Sequence, residues 1–210
     1  WTDWLWFSEV GYTAVFSGLI RTKILLFLLF GAAGGAFVAG NLYLAFRLRP
    51  SRRYTSPDQQ VLDRYRALLT PRVRLWVGIT AVVMGLFSGL AGQAHWQQWM
   101  LFTNGGSFGI ADPQFGIDVG FYVFEFPFWR YLLDFGFTMT VLTLVGTLTV
   151  HYIYGGLRLH GPGDRLTSGA RIHLSALVTL FVVLKAIAYF LDRRALLLQM
   201  NSSTDLTGAG

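Results

Sequence analysis

Four runs of nearly uninterrupted apolar residues constrain this chain more than any other feature. In a helix, about 20 such residues cover the roughly 30 Å of hydrocarbon in a bilayer. The runs fall at 23–46, 75–92, 131–157 and 172–191. From Ile24 to Phe46 the first is uncharged and interrupted only by Asn41, while the second, Leu75 to Gly92, is short and rich in glycine. Asp134 and Lys185 lie in the third and fourth. Helices of a water-soluble domain keep a polar face at 3.6-residue spacing, whereas these runs are apolar all round. The pattern predicts an all-α fold, a polytopic transmembrane helix bundle of four spans with interfacial aromatic segments.

Composition agrees. With 53% hydrophobic and 13% charged residues in 210, too little polar surface exists to cover a soluble globule. No cysteine is present, which excludes disulfides, thiol nucleophiles and thiolate metal sites. The chain opens on Trp1, with no signal-peptide pattern ahead of its first apolar run, and its last ten residues have loop composition. It reads as a piece of a longer polypeptide.

The net charge of +6 is explained by where the cations sit. Between the first two runs, at 47–74, lie Arg47, Arg49, Arg52, Arg53, Arg64, Arg66, Arg72 and Arg74 against Asp58 and Asp63. Arg158, Arg165 and Arg171 face Asp164 alone at 158–171. In contrast, 93–130 holds Arg130 against Asp112, Asp118 and Glu125. Basic short loops stay in the cytoplasm, so this bias places 47–74 and 158–171 inside, and 1–22, 93–130 and 192–210 outside. The location implied is a membrane, with these basic loops on its cytoplasmic side. Arg47, Arg49, Arg52 and Arg53 are candidates for gripping anionic lipid on the cytoplasmic side, a better account of the cluster than nucleic acid, which is not expected as a partner. Within that loop Ser56-Pro57-Asp58 opens a stretch with Val61, Leu62, Tyr65, Leu68 and Leu69 at helical spacing, which predicts an amphipathic helix on the membrane surface or on the bundle.

Aromatic residues mark the ends of the spans. Trp96 and Trp99 follow the second and Trp129 precedes the third, as expected of rings at headgroup level. The densest aromatic stretch, Phe121 to Trp129, predicts an interfacial helix or a re-entrant turn. Gly31, Gly35 and Gly40 in the first span, with Gly85 and Gly89 in the second, form smooth stripes for close helix contact.

A charge inside hydrocarbon calls for a partner, and Asp134 and Lys185 lie at similar depths from the external ends of their spans, so they are expected to pair. His151, near the cytoplasmic end of the third span, is expected to be a neutral ring bonded to a carbonyl; as an axial ligand to a pigment or haem it is a weak signal. No phosphate loop, HExxH pair or GxSxG elbow occurs, so neither enzymatic activity nor a bound cofactor or metal is expected.

Trp1-Thr-Asp-Trp-Leu-Trp-Phe-Ser-Glu-Val-Gly-Tyr12, Asp112-Pro-Gln-Phe-Gly-Ile-Asp-Val-Gly-Phe-Tyr-Val-Phe124, His151-Tyr-Ile-Tyr-Gly-Gly156 and Lys185-Ala-Ile-Ala-Tyr-Phe-Leu-Asp192 together resemble the bacterial uncharacterised protein family 0182, large multi-pass membrane proteins. The resemblance covers nearly the whole chain. It implies about seven spans and a large extracytoplasmic region in the complete protein, and brings no catalytic residue with it.

The sequence therefore favours a structural or accessory membrane subunit that docks other membrane protein subunits. The alternatives are a transporter or ion relay using Lys185 and Asp134, and a subunit contacting pigment or quinone in an energy-transducing complex.

Overall fold

The computed structural model describes residues 2–50, 57–158 and 164–204. In chain order the elements are α1 (Thr2–Glu9), α2 (Thr13–Arg47), α3 (Pro57–Leu69), a 3-10 turn (Thr70–Arg72), α4 (Val73–Ala94), α5 (Trp96–Asn104), a π-helical turn (Phe121–Glu125), α6 (Phe126–Ile153) and α7 (Ser168–Thr204). Among the described residues there is no strand, only two isolated bridges, Ala111 with Asp118 and Leu157 with Leu166. Four stretches are long and apolar enough to cross a membrane: Thr13–Arg47, Leu62–Ala94, Phe121–Ile153 and Ser168–Arg194.

The helices outrun the apolar stretches that announce them. Residues 13–22, expected in an external leader, continue without a break into α2, since no proline interrupts them. The third span starts ten residues earlier than expected, because Phe121–Trp129 enters α6 as helix. Its π turn has a local cause. Pro127 has no N–H to give the carbonyl of Val123, and the ladder skips a residue, with the Phe126 amide donating to the Phe121 carbonyl. At the other end α7 runs on to Thr204 instead of giving way to a tail after Leu191. From Arg193 to Met200 the residues are good helix formers, without glycine or proline to stop them.

The chain forms two compact units, Trp1–Gln97 with Val141–Ser175 and Gln98–Thr140 with Ala176–Gly210. In the first, α2 packs along α4, burying Leu26, Phe30 and Val38. Gly146 of α6 accepts Leu42 of α2, and Gly169 of α7 accepts Leu48, the residue that caps α2. α3 is tied to the end of α6: the half-buried Arg66 donates from Nε to the Ile153 carbonyl, and the Thr70 and Tyr154 hydroxyls lie 3.3 Å apart. A cation on the last carbonyls of a helix both caps it and complements its dipole.

In the second unit α5 meets the start of α6 through rings. Phe102 lies 4.9 Å from Phe128 and 5.8 Å from Trp129, and Trp99 lies 5.2 Å from Phe128, centroid to centroid. Further along, α6 and α7 touch where Phe137 meets Phe181 at 5.3 Å and where Gly136 leaves room for Leu184.

Candidate functional site: a glycine seam and a buried imidazole pair

The glycines of the two stripes meet backbone to backbone. A Cβ on Gly31 would stand 2.9 Å from the Gly85 carbonyl oxygen, and one on Gly35 2.5 Å from that of Ala81. Gly89 is pressed against Phe27, where a Cβ would come within 2.7 Å of the carbonyl. Gly40 is different, with nothing within 4 Å of its Cβ position. Hydrocarbon gives apolar helices little reason to associate, so a contact this close relies on dispersion between backbones, and only glycine permits it.

The other predicted residues scatter. Arg52 and Arg53 lie outside the described residues. Arg47 is exposed, and Arg49 stacks over Phe46 at 4.0 Å. Trp96 carries Lys23 over its ring at 5.4 Å, while Trp99 and Trp129 belong to the aromatic cluster of α5 and α6. The predicted α3 helix forms, with Leu62 and Leu69 half-buried and Tyr65 and Leu68 exposed.

Asp134 and Lys185 do not pair. Asp134, one turn along α6 from Arg130, faces that guanidinium at 3.8 Å, and Arg130 also binds Asp192 of α7. Lys185 is exposed and reaches one turn along its own helix to the face of Tyr189, 4.9 Å from the centroid. α7 turns Leu184 and Ala188 inward, and the ammonium therefore points away from α6. The cation–π contact takes the place of the carboxylate.

The buried polar groups are elsewhere. On α6, Thr140, Thr143, Thr147 and His151 recur at 3- and 4-residue spacing and are at most 1% exposed. Thr140 and Thr147 return their hydroxyls to the carbonyls of Gly136 and Leu144. His151 is bonded to an imidazole, not to a carbonyl as expected: its Nε2 lies 3.3 Å from His173 Nδ1. His173 Nε2 in turn lies 3.0 Å from Asn41 Oδ1, and Asn41 Nδ2 donates to the Phe37 carbonyl at 2.7 Å. Three helices, α2, α6 and α7, are joined by this one chain of bonds.

The end of α6 is shaped around it. The Gly156 amide donates to the His151 carbonyl at 2.7 Å, and the Gly155 amide to that of Tyr152, the paired bonds of a Schellman closure. Gly155 takes φ +77°, open to glycine without strain. A Cβ on Gly156 would lie 2.9 Å from His151 Nδ1, so its absence makes room for the ring. The signal for the stripe was in the sequence, as polar residues at helical spacing in an apolar helix. The His173 and Asn41 partners come only from tertiary packing.

Outside the spans, the 105–120 loop is organised by Asp118. Its carboxylate accepts from the Ser107 hydroxyl and from the amides of Phe108, Gly109 and Gly120. Led by the Ser107 bond, these donors hold the carboxyl down at about 2. Among the described residues no group of three or more His, Asp or Glu could hold a metal ion.

No solved structure matches the chain. Among curated relatives it is 58% identical to a UPF0182 protein of Salinispora tropica over 210 residues, all of this chain and 21% of that protein. It is 47% identical to one of Streptomyces coelicolor over 197 residues, 93% of this chain and 20% of that protein. With one of Mycolicibacterium paratuberculosis the identity is 46% over 208 residues, 99% and 21% of the two chains. The chain thus spans about a fifth of the length of these relatives. The model of the uncharacterised protein family UPF0182 matches residues 1–210, and the chain belongs to that family.

Proposed function

We propose that this chain is a multi-pass part of the bacterial inner membrane with a structural role, an accessory unit on which other membrane protein helices dock. The observation that supports it best is the approach of α2 to α4, where glycine backbones replace side chains over two turns at Gly31–Gly85 and Gly35–Ala81. Such a seam fixes two helices rigidly and leaves their other faces free. Leu28, Leu29, Val82 and Phe87 are each more than half exposed on those faces. In this reading the Arg-rich 47–74 loop lies in the cytoplasm and touches anionic lipid.

The experiment places a photo-crosslinking amino acid at Phe87 in cells producing the full-length protein. A discrete protein adduct is expected. Adducts with lipid alone, together with purification of the protein as a partnerless monomer in mild detergent, contradict the proposal.

A further inference from the structure

We propose that His151 and His173 form a proton-binding site within the spanning helices, and that its vacant position is His151 Nδ1. The inference depends on the packing of α2, α6 and α7 within one unit, and stands apart from the docking role above.

The bonds in the chain can run in one direction only. Asn41 spends its amide N–H on the Phe37 carbonyl, so Oδ1 faces His173, and an oxygen there can only accept. His173 Nε2 therefore carries the hydrogen. In a neutral ring Nδ1 is then bare, and it accepts from His151 Nε2–H across 3.3 Å. What remains is the lone pair on His151 Nδ1, in a ring with 0% exposure, and among the described residues that atom has no hydrogen-bond partner. Orphaned buried acceptors are rare in folded proteins, and one at the end of a fixed tautomer chain is where a proton can add.

A hydronium ion gives its proton to Nδ1: one O–H bond breaks, the Nδ1–H bond forms, water leaves, and His151 becomes an imidazolium without losing its bond to His173. The Nε2 proton can then cross to His173 Nδ1, leaving His151 neutral with its hydrogen on Nδ1 and the charge on His173. Transfer ends there, because an amide oxygen accepts a hydrogen bond but does not pass a proton on. The pair stores one proton and does not conduct it.

Helix ends decide where the charge rests. His151 is in the last turn of α6, at the negative end of that helix's dipole, which favours a cation, whereas His173 is in the second turn of α7, at the positive end of that helix. Two arginines on the packed elements are already paired. Arg66 of α3 binds the Ile153 carbonyl and Asp63, and Arg171 of α7 pairs with Asp164 of the preceding loop. On α2 the nearest charge along the helix is Arg47, and on the turn after α6 it is Arg158. Among the described residues no carboxylate pairs with either ring, so the dipole of α6 is what favours the cation on His151. Gly156 lies against Nδ1, where a Cβ would stand 2.9 Å away.

The test is nitrogen-15 histidine NMR of the full-length protein in lipid nanodiscs between pH 8 and pH 4. His151→Gln identifies the signals of the pair by their loss. At high pH both rings are expected as Nε2–H tautomers, and on acidification one imidazolium is expected per pair, on His151. Two independent imidazoliums, or none while the fold persists, overturn the proposal. Asn41→Leu supplies a second reading: His173 is expected to become a mixture of tautomers, and an unchanged single tautomer also overturns it.

Discussion

Gly35 and Ala81 meet so closely that a methyl group on the glycine would sit 2.5 Å from the alanine carbonyl oxygen. Backbone cannot swing aside as a side chain does, so the two helices must part to admit it. Gly35→Ala and Gly31→Ala are expected to destabilise the α2–α4 pair by about 1–3 kcal/mol each, the range for overpacking. Gly40→Ala lies on the same helix with open space around it and is expected to be neutral or slightly stabilising. Unfolding titrations in mixed detergent check the contrast between these three.

The turn after α6 should distinguish two roles of glycine. Gly155→Ala forces φ +77° on a residue with a side chain and should cost about 1 kcal/mol through the backbone. Gly156→Ala adds a contact at 2.9 Å from His151 Nδ1, so it should displace the ring. Only the second is expected to change the His151 nitrogen-15 signals, although both lower stability.

Asp118 gives a pH dependence with a defined sign. Its carboxyl is held below the ordinary value of 3.8, at about 2, by the Ser107 hydroxyl and three amides. A depressed value means that the carboxylate stabilises the loop fully above about 3.8 and ceases to do so as the pH falls through about 2. Ser107→Ala removes the largest contribution, and the Asp118 titration should move up toward 3.8. Carbon-13 shifts of the side-chain carboxyl report it directly.

Double-mutant cycles separate the ion pair that exists from the one that the sequence suggests. Arg130 and Asp192 join α6 to α7, each partly exposed, so Arg130→Gln with Asp192→Asn should show coupling of about 0.2–1 kcal/mol. Lys185→Met with Asp134→Asn should be additive within about 0.3–0.5 kcal/mol. Coupling in the second cycle would restore the intramembrane pair.

What the sequence discloses depends on the range of the interaction. The four spans are legible because lipid as solvent leaves an all-round apolar pattern, and the contacting glycines because Gly31 with Gly35, and Gly85 with Gly89, stand four residues apart. Spacing also sets Gly40 apart: five residues beyond Gly35 it falls about 140° round the helix, off the face that meets α4, and nothing lies within 4 Å of its Cβ position. The start of α6 was masked by the aromatic run ahead of Pro127, which reads as interface until the π turn absorbs the missing amide. Matching depth suggests Asp134 for Lys185, but helix rotation, set by Leu184 and Ala188, points the lysine away. His151, His173 and Asn41 lie on three helices far apart in the chain, and no periodicity within one helix connects them.

Impermeant thiol labelling in intact cells tests the membrane placement most directly. This chain has no cysteine of its own, so single cysteines at Gln114 and Arg165, with any elsewhere in the full-length protein replaced, give unambiguous reporters. Gln114→Cys should react from outside, and Arg165→Cys only after permeabilisation. The reverse pattern, or equal labelling of both, would contradict four crossings with the arginine-bearing turns inside.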